Sequence, residues 1–183
     1  MKKTNFIILL VCILSLCLTS CVPSSDGLYI MKYFDVDPIL DEGEETYFYG
    51  ETGRVVIYAE LYYPSGALKR RRESNPDNPY DVTYVKYTYY KETGEIIKII
   101  EKQLETWEEN GATLTTKVFD SQEKLLAHEI ARYTIRENRL KNKIESTYYD
   151  SENNLVVSAK YEYDDNDVLL KTTIYDADGN LVS

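Results

Sequence analysis

The chain has 183 residues, a formal net charge of −10, 18 tyrosines, three cysteines and a single histidine. Such an acidic chain lacks the basic face that phosphate recognition needs, which argues against a nucleic-acid ligand. With one histidine and few thiols, it also has little from which to build a metal site or an activated nucleophile.

Lys2 and Lys3 precede an apolar run from Phe6 to Leu18. The run is short for a bilayer span and has the character of a signal peptide's apolar region. It ends in Leu18-Thr19-Ser20-Cys21, which resembles the lipobox of bacterial lipoproteins. That resemblance implies cleavage before Cys21 and a diacylglyceryl group on its thiol. Residues 1–20 are therefore expected to be a signal peptide and 21–28 a lipidated cysteine with a short polar tether containing Pro23. Cys12 and Cys17 fall in the segment removed, so no thiol remains for a disulfide or a redox motif. Loss of Lys2 and Lys3 takes the formal charge from −10 to −12. Acyl chains hold a protein on a membrane without spanning it. Val22 stands where enterobacterial lipoproteins retained at the inner membrane carry an aspartate. The expected location is thus the bacterial envelope, at the outer membrane rather than the inner, periplasmic or surface-exposed.

Residues 29–183 are expected to form a single all-β domain. Leu28 to Phe34 reads as a first strand and Asp35 to Glu45, with its acidic run, as a loop. From Tyr49 onward an aromatic residue is followed six positions later by an aliphatic one at Tyr49/Val55, Tyr90/Ile96, Phe119/Leu125, Tyr149/Leu155, Tyr163/Leu169 and Tyr175/Leu181. Looser copies begin at Tyr63, Trp107 and Tyr133. Four residues after the aromatic stand Gly53, Gly94, Gly111, Asn153, Asp167 and Gly179, with Glu123 as the exception. Gly, Asn and Asp tolerate the left-handed backbone of a hairpin loop built as a type I turn plus a bulge. Asp150, Asp164 and Asp176 can bond to N–H groups two residues on and so start the turn.

Between these turns the residues alternate with a period of two. Leu155, Val157, Ala159, Tyr161 and Tyr163 oppose Val156, Ser158, Lys160 and Glu162, as in a half-buried strand. Ile96 to Trp107 is apolar on both faces, which suits a central position. Ser74 to Asp81, with Pro76 and Pro79, reads as a projecting loop. The preceding Lys69-Arg70-Arg71-Arg72, flanked by glutamates, reads as a solvated strand end. Gln122 to Ile135 also suits a helical stripe, so a short helix near 122–135 stays open beside the strand that the repeat register favours. The fold expected is an antiparallel β-hairpin repeat, a solenoid-like meander in a twisted sheet.

Tyr175-Asp176-Ala177-Asp178-Gly179-Asn180-Leu181 and Tyr62-Tyr63-Pro64-Ser65-Gly66-Ala67-Leu68-Lys69 resemble two groups of bacterial β-repeat proteins. One is the YD-repeat group of the RHS proteins. The other is the MORN-variant group, which includes proteins labelled as antitoxin components. The resemblance covers about 49–183 and implies stacked hairpins. It brings no catalytic residues with it, and the chain departs from it in lacking a clear Gly-x-Trp element.

His128-Glu129-Ile130-Ala131-Arg132 opens like a zinc-protease motif, but Arg132 stands where the second histidine must bind metal. His128 therefore reads as a surface or packing residue. Asp164-Asp165-Asn166-Asp167 and Asp176-Ala177-Asp178-Gly179-Asn180 cluster oxygen ligands of the kind calcium takes. Turn chemistry accounts for them, and no metal, cofactor or catalytic residue is expected. The chain reads as a non-enzymatic, lipid-anchored binding or scaffolding protein that recognises a protein partner. Candidate partner-binding residues are Tyr84, Tyr87 and Tyr89, from an aromatic row, and Leu181 and Val182, from a free sheet edge. An immunity or antitoxin-like role against an envelope toxin, or carriage of an apolar ligand, are the alternatives.

Overall fold

A computed structural model describes residues 30–35, 38–49, 56–78, 81–109, 111–137 and 139–182. The expected signal peptide, Cys21, the expected tether and the expected turn at Gly53 lie outside them. Among the described residues ten strands follow one another: β1 (Thr46–Tyr49), β2 (Val56–Tyr62), β3 (Leu68–Ser74), β4 (Tyr84–Tyr90), β5 (Ile96–Glu108), β6 (Gly111–Phe119), β7 (Leu125–Arg136), β8 (Arg139–Asp150), β9 (Leu155–Tyr163) and β10 (Leu169–Asp176). They form one open antiparallel sheet in sequence order, so the fold is all-β and the topology is a meander. β5 lies between β4 and β6, inside the sheet, as its two apolar faces predict.

The repeats are the turns, and from β4 onward successive copies alternate between the two ends of the sheet. Glu123, Asn153 and Asp167 adopt φ of 62°, 70° and 65°, and Gly94 and Gly179 adopt 88° and 83°. Each lies four residues after its aromatic. In four of the turns one aspartate oxygen accepts two main-chain N–H groups: Asp120 from Gln122 and Lys124, Asp150 from Glu152 and Asn154, Asp164 from Asn166 and Val168, Asp176 from Asp178 and Asn180. Gly111 departs from the pattern. It pairs directly with Glu108 as the first residue of β6, because only residues 109–110 connect that hairpin.

The segment 122–135 is not helix: residues 122–124 belong to the turn after β6, and 125–135 lie in β7. Ala127, Glu129 and Ala131 are buried in alternation while Ile130 is exposed, so the period-two burial wins over the helical stripe. Leu28 to Phe34 is not a first strand in its described part. Ile30 to Phe34 forms a helical turn, with Tyr33 N–H donating to Ile30 C=O and Phe34 N–H to Met31 C=O, each at 3.1 Å. A second short helix, α1 (Pro38–Asp41), interrupts the loop expected there.

These residues form a strap across one face of the sheet, here termed the inner face. Ile30 packs with Ala127, Tyr148, Val157, Ala159 and Ile174 on β7–β10. Leu40 packs against Tyr89, Ile100 and Val118 on β4–β6, and Tyr33 and Phe34 touch both groups. The strap then meets β3, where the Arg70 guanidinium pairs with Asp41 and Lys69 Nζ donates to Glu42 C=O at 2.9 Å. At Gly43 the chain passes so close to the buried Leu61 that a Cβ would stand 2.6 Å from its Cδ1. Lacking a neighbouring strand to satisfy its main chain, the segment closes its own turns and buries side chains instead. Full burial of each large aliphatic one contributes about 1.5–3 kcal/mol.

Candidate functional site

Residues directly opposite each other in adjacent strands share a face. Register therefore assembles the inner face row by row beyond the strap. One row is Lys102, Thr116, Glu129 and Tyr148; the next is Leu104, Leu114, Ala131 and Ser146; a third is Trp107, Ala112, Tyr133 and Lys143. Ala131 and Ser146 have no exposed surface and form a floor of small side chains, with larger polar groups rising around them.

Lys143 Nζ lies 2.7 Å from Glu129 Oε1, and Glu129 is buried. The same ammonium lies 5.9 Å from the ring centres of both Tyr133 and Tyr161. Tyr161 OH is 3.1 Å from Ser146 Oγ and 3.2 Å from Tyr148 OH, which ties the hydroxyls of β8 to β9. Burial opposes the charge on Lys143, but the Glu129 carboxylate together with the Tyr133 and Tyr161 phenols outweighs it and raises its pKa. Lys102 moves the other way. Burial lowers its pKa, Lys143 reinforces the shift, and Glu129 opposes it. Tyr133 and Tyr148 are pushed up, chiefly by burial.

The outer face carries an alternating charge ladder across β3–β6, Glu73, Lys86, Glu101 and Lys117, which continues to His128 and Tyr149. His128 stacks on Tyr149 with ring centres 4.6 Å apart, and burial lowers its pKa. It is thus a packing residue. Under the projecting loop, Ile57, Glu73, Ser74, Tyr84, Lys86 and Glu101 line a hollow of about 420 Å³. Burial and the neighbouring Glu101 push the Tyr84 phenol up to about 12.

The residues singled out as a binding surface do not come together. Tyr84 opens on the outer-face hollow, while Tyr87 and Tyr89 share the inner face and Tyr89 is buried in the cluster on which Leu40 packs. Leu181 bridges to Tyr175 at the far edge and is exposed, whereas Val182 packs into the Ile30 cluster. The basic run is not a solvated strand end. Lys69 is buried, Arg70 pairs with Asp41 and Glu45, Arg72 pairs with Glu45, and Arg71 lies over the Tyr58 ring at 4.4 Å. The strap supplies the carboxylates that draw Arg70 and Arg72 inward.

Glu129 and Lys143 are the residues the sequence reading missed. Their signal is present: Glu129 occupies the inward phase between Ala127 and Ala131, where an apolar residue belongs. Among the described residues, no group of three or more His, Cys, Asp or Glu is arranged to hold a metal ion. In comparison with known proteins, no family model matches the chain and no curated protein matches it.

Proposed function

We propose that this chain is a lipid-anchored envelope protein that captures a protein partner by pairing with the free edge of its sheet. The observation that carries this reading is the outer edge of β10. Val182 N–H donates to Ile174 C=O at 2.8 Å, so the main-chain groups of Ile174 point away from β9. By the alternation of an antiparallel strand, those of Thr172 point the same way, and among the described residues no strand pairs with them. Val168, Leu169 and Leu170 beside them are exposed apolar residues. An edge of this kind adds an incoming strand through main-chain bonds, with the flanking side chains giving specificity. The lipobox supports placement in the envelope, with Cys21 as the acylated residue.

The test is affinity capture from native membranes with the tagged chain, its Cys21→Ala form and a Thr172→Pro form. Proline removes an N–H that faces away from β9, which an edge strand tolerates. Loss of the captured partner with Thr172→Pro, at unchanged circular dichroism, supports edge pairing. Undiminished capture by Thr172→Pro rejects it. A partner held equally by the Cys21→Ala form would make the anchor irrelevant to capture.

A further inference from the structure

We propose that the open half of the inner face binds a long-chain carboxylate, with Lys102 holding the carboxylate group and Leu104, Leu114 and Trp107 lying along the hydrocarbon tail. This does not depend on the edge-pairing reading.

The charge arrangement is the first ground. Two ammonium groups, Lys102 and Lys143, face one carboxylate, Glu129, and that carboxylate is held by Lys143 at 2.7 Å. Among the described residues Lys102 makes no ion pair, and its ammonium rests over the Tyr87 ring at 5.7 Å. A partly buried cation without a counter-charge is costly, and an incoming anion would relieve the cost. The excess is one positive charge, which suits a monoanion. It is also local, within a chain of net charge −10 that repels anions elsewhere.

A hydroxyl cluster on the same face is the second ground. Ser146 Oγ and Tyr148 OH lie 3.1 and 3.2 Å from Tyr161 OH, beside the Lys143 ammonium, so the face carries hydroxyls that can donate or accept. Position is the third. Leu104 and Leu114 are directly opposite each other in the row next to Lys102, and Trp107 follows on the same face with 46% of its surface exposed. Lys102 and Trp107 stand opposite Thr116 and Ala112, four residues apart on β6 because β5 bulges between Leu104 and Thr106, so they are about 13 Å apart along the sheet, a length that a dodecanoate chain covers. A dianionic phosphate would leave this apolar row without use, so the arrangement selects an amphiphile.

The test uses the full chain carrying Cys21→Ala, so that it has no acyl chain of its own, and dansyl-labelled undecanoic acid as the fluorescent probe. Saturable binding is expected, displaced by dodecanoate and at least about tenfold less well by dodecanol, since a charged contact is lost. Lys102→Met should weaken the probe at least about tenfold, Lys102→Arg should retain it, and Lys86→Met on the outer face should leave it unchanged. Absence of saturable binding, equal displacement by dodecanol, or full affinity in Lys102→Met would each overturn the proposal. So would displacement by acetate or by an acidic peptide as effective as that by dodecanoate. The comparison of dodecanoate with dodecanol needs no variant at Lys102, so it decides the matter even if Lys102→Met unfolds.

Discussion

Glu129 on β7 and Lys143 on β8 form an ion pair of 2.7 Å beneath the Tyr133 and Tyr161 rings, and the carboxylate partner is buried. Neither is well placed alone. Removing Lys143 leaves a buried carboxylate with no ion-pair partner, faced only by the more distant Lys102, whereas replacing both removes the desolvation cost together with the attraction. Lys143→Met is therefore expected to destabilise the fold by about 3 kcal/mol, and adding Glu129→Leu to recover most of that loss. Urea unfolding of the two variants measures this. A single variant as stable as the parent would show that water already screens the pair.

Glu123, at φ 62°, and Glu137, at φ 53° four residues after Tyr133, put an ordinary side chain in the repeat's left-handed position, and the Glu123 side chain is mostly exposed. An L-residue with a bulky side chain costs roughly 1–2 kcal/mol there, and its distant contact with Lys86, at 3.9 Å, returns little. Glu123→Gly should raise stability by about 1 kcal/mol. The thermal midpoint is the readout, and an unchanged or lower value would mean that the added freedom of the unfolded chain cancels the strain.

Alkali should unfold this protein through its tyrosines. Burial holds Tyr89 at about 12 against an ordinary 10.0, so its phenolate is disfavoured in the folded chain. Between those values the unfolded chain releases a proton that the folded chain keeps, so stability falls as pH rises through that window. The loss from Tyr89 is on the order of 2 kcal/mol by the top of the window. Tyr89→Phe should flatten the decline in denaturant midpoints between pH 9 and pH 12, about the ordinary tyrosine value. An unaltered decline would place the alkaline sensitivity elsewhere.

The strap is tested at Phe34. Its ring meets Tyr148 edge-to-face at 5.3 Å, and it touches both halves of the inner-face core. Phe34→Ala should cost about 2–3 kcal/mol, below the range for a fully buried ring because Phe34 is only partly buried. Hydrogen exchange should speed up in β4–β9 beneath the strap more than in β1. A uniform change, or none, would mean that the strap is not what secures this face.

Turn chemistry made much of this architecture legible from residues alone. The Asp120, Asp150, Asp164 and Asp176 carboxylates bond within four residues of themselves, so their geometry depends on nothing distant. Asp120 follows Phe119 as the others follow tyrosines, and the same rule would have found it. Strand phase was equally readable at Val157 and Ala159, which are buried as the alternation requires. The tyrosine row misled because adjacency in sequence was taken for a shared surface. A strand sends Tyr84 and Tyr87 to opposite faces, and which face is then covered depends on the strap.

What the amino-acid sequence determined by itself was local: the turn positions, the two-residue alternation, the acidic balance and the lipobox-like Leu18-Thr19-Ser20-Cys21. The tertiary structure decided which face is inner, because that choice rests on Ile30 meeting Ile174 and Leu40 meeting Ile100, contacts between residues far apart in the chain. The same long-range packing drew Arg70 to Asp41 and placed Glu129 beside Lys143. Local hydrogen bonds choose a turn at little entropic cost, whereas a covered face is chosen only when distant apolar surfaces meet and exclude water together.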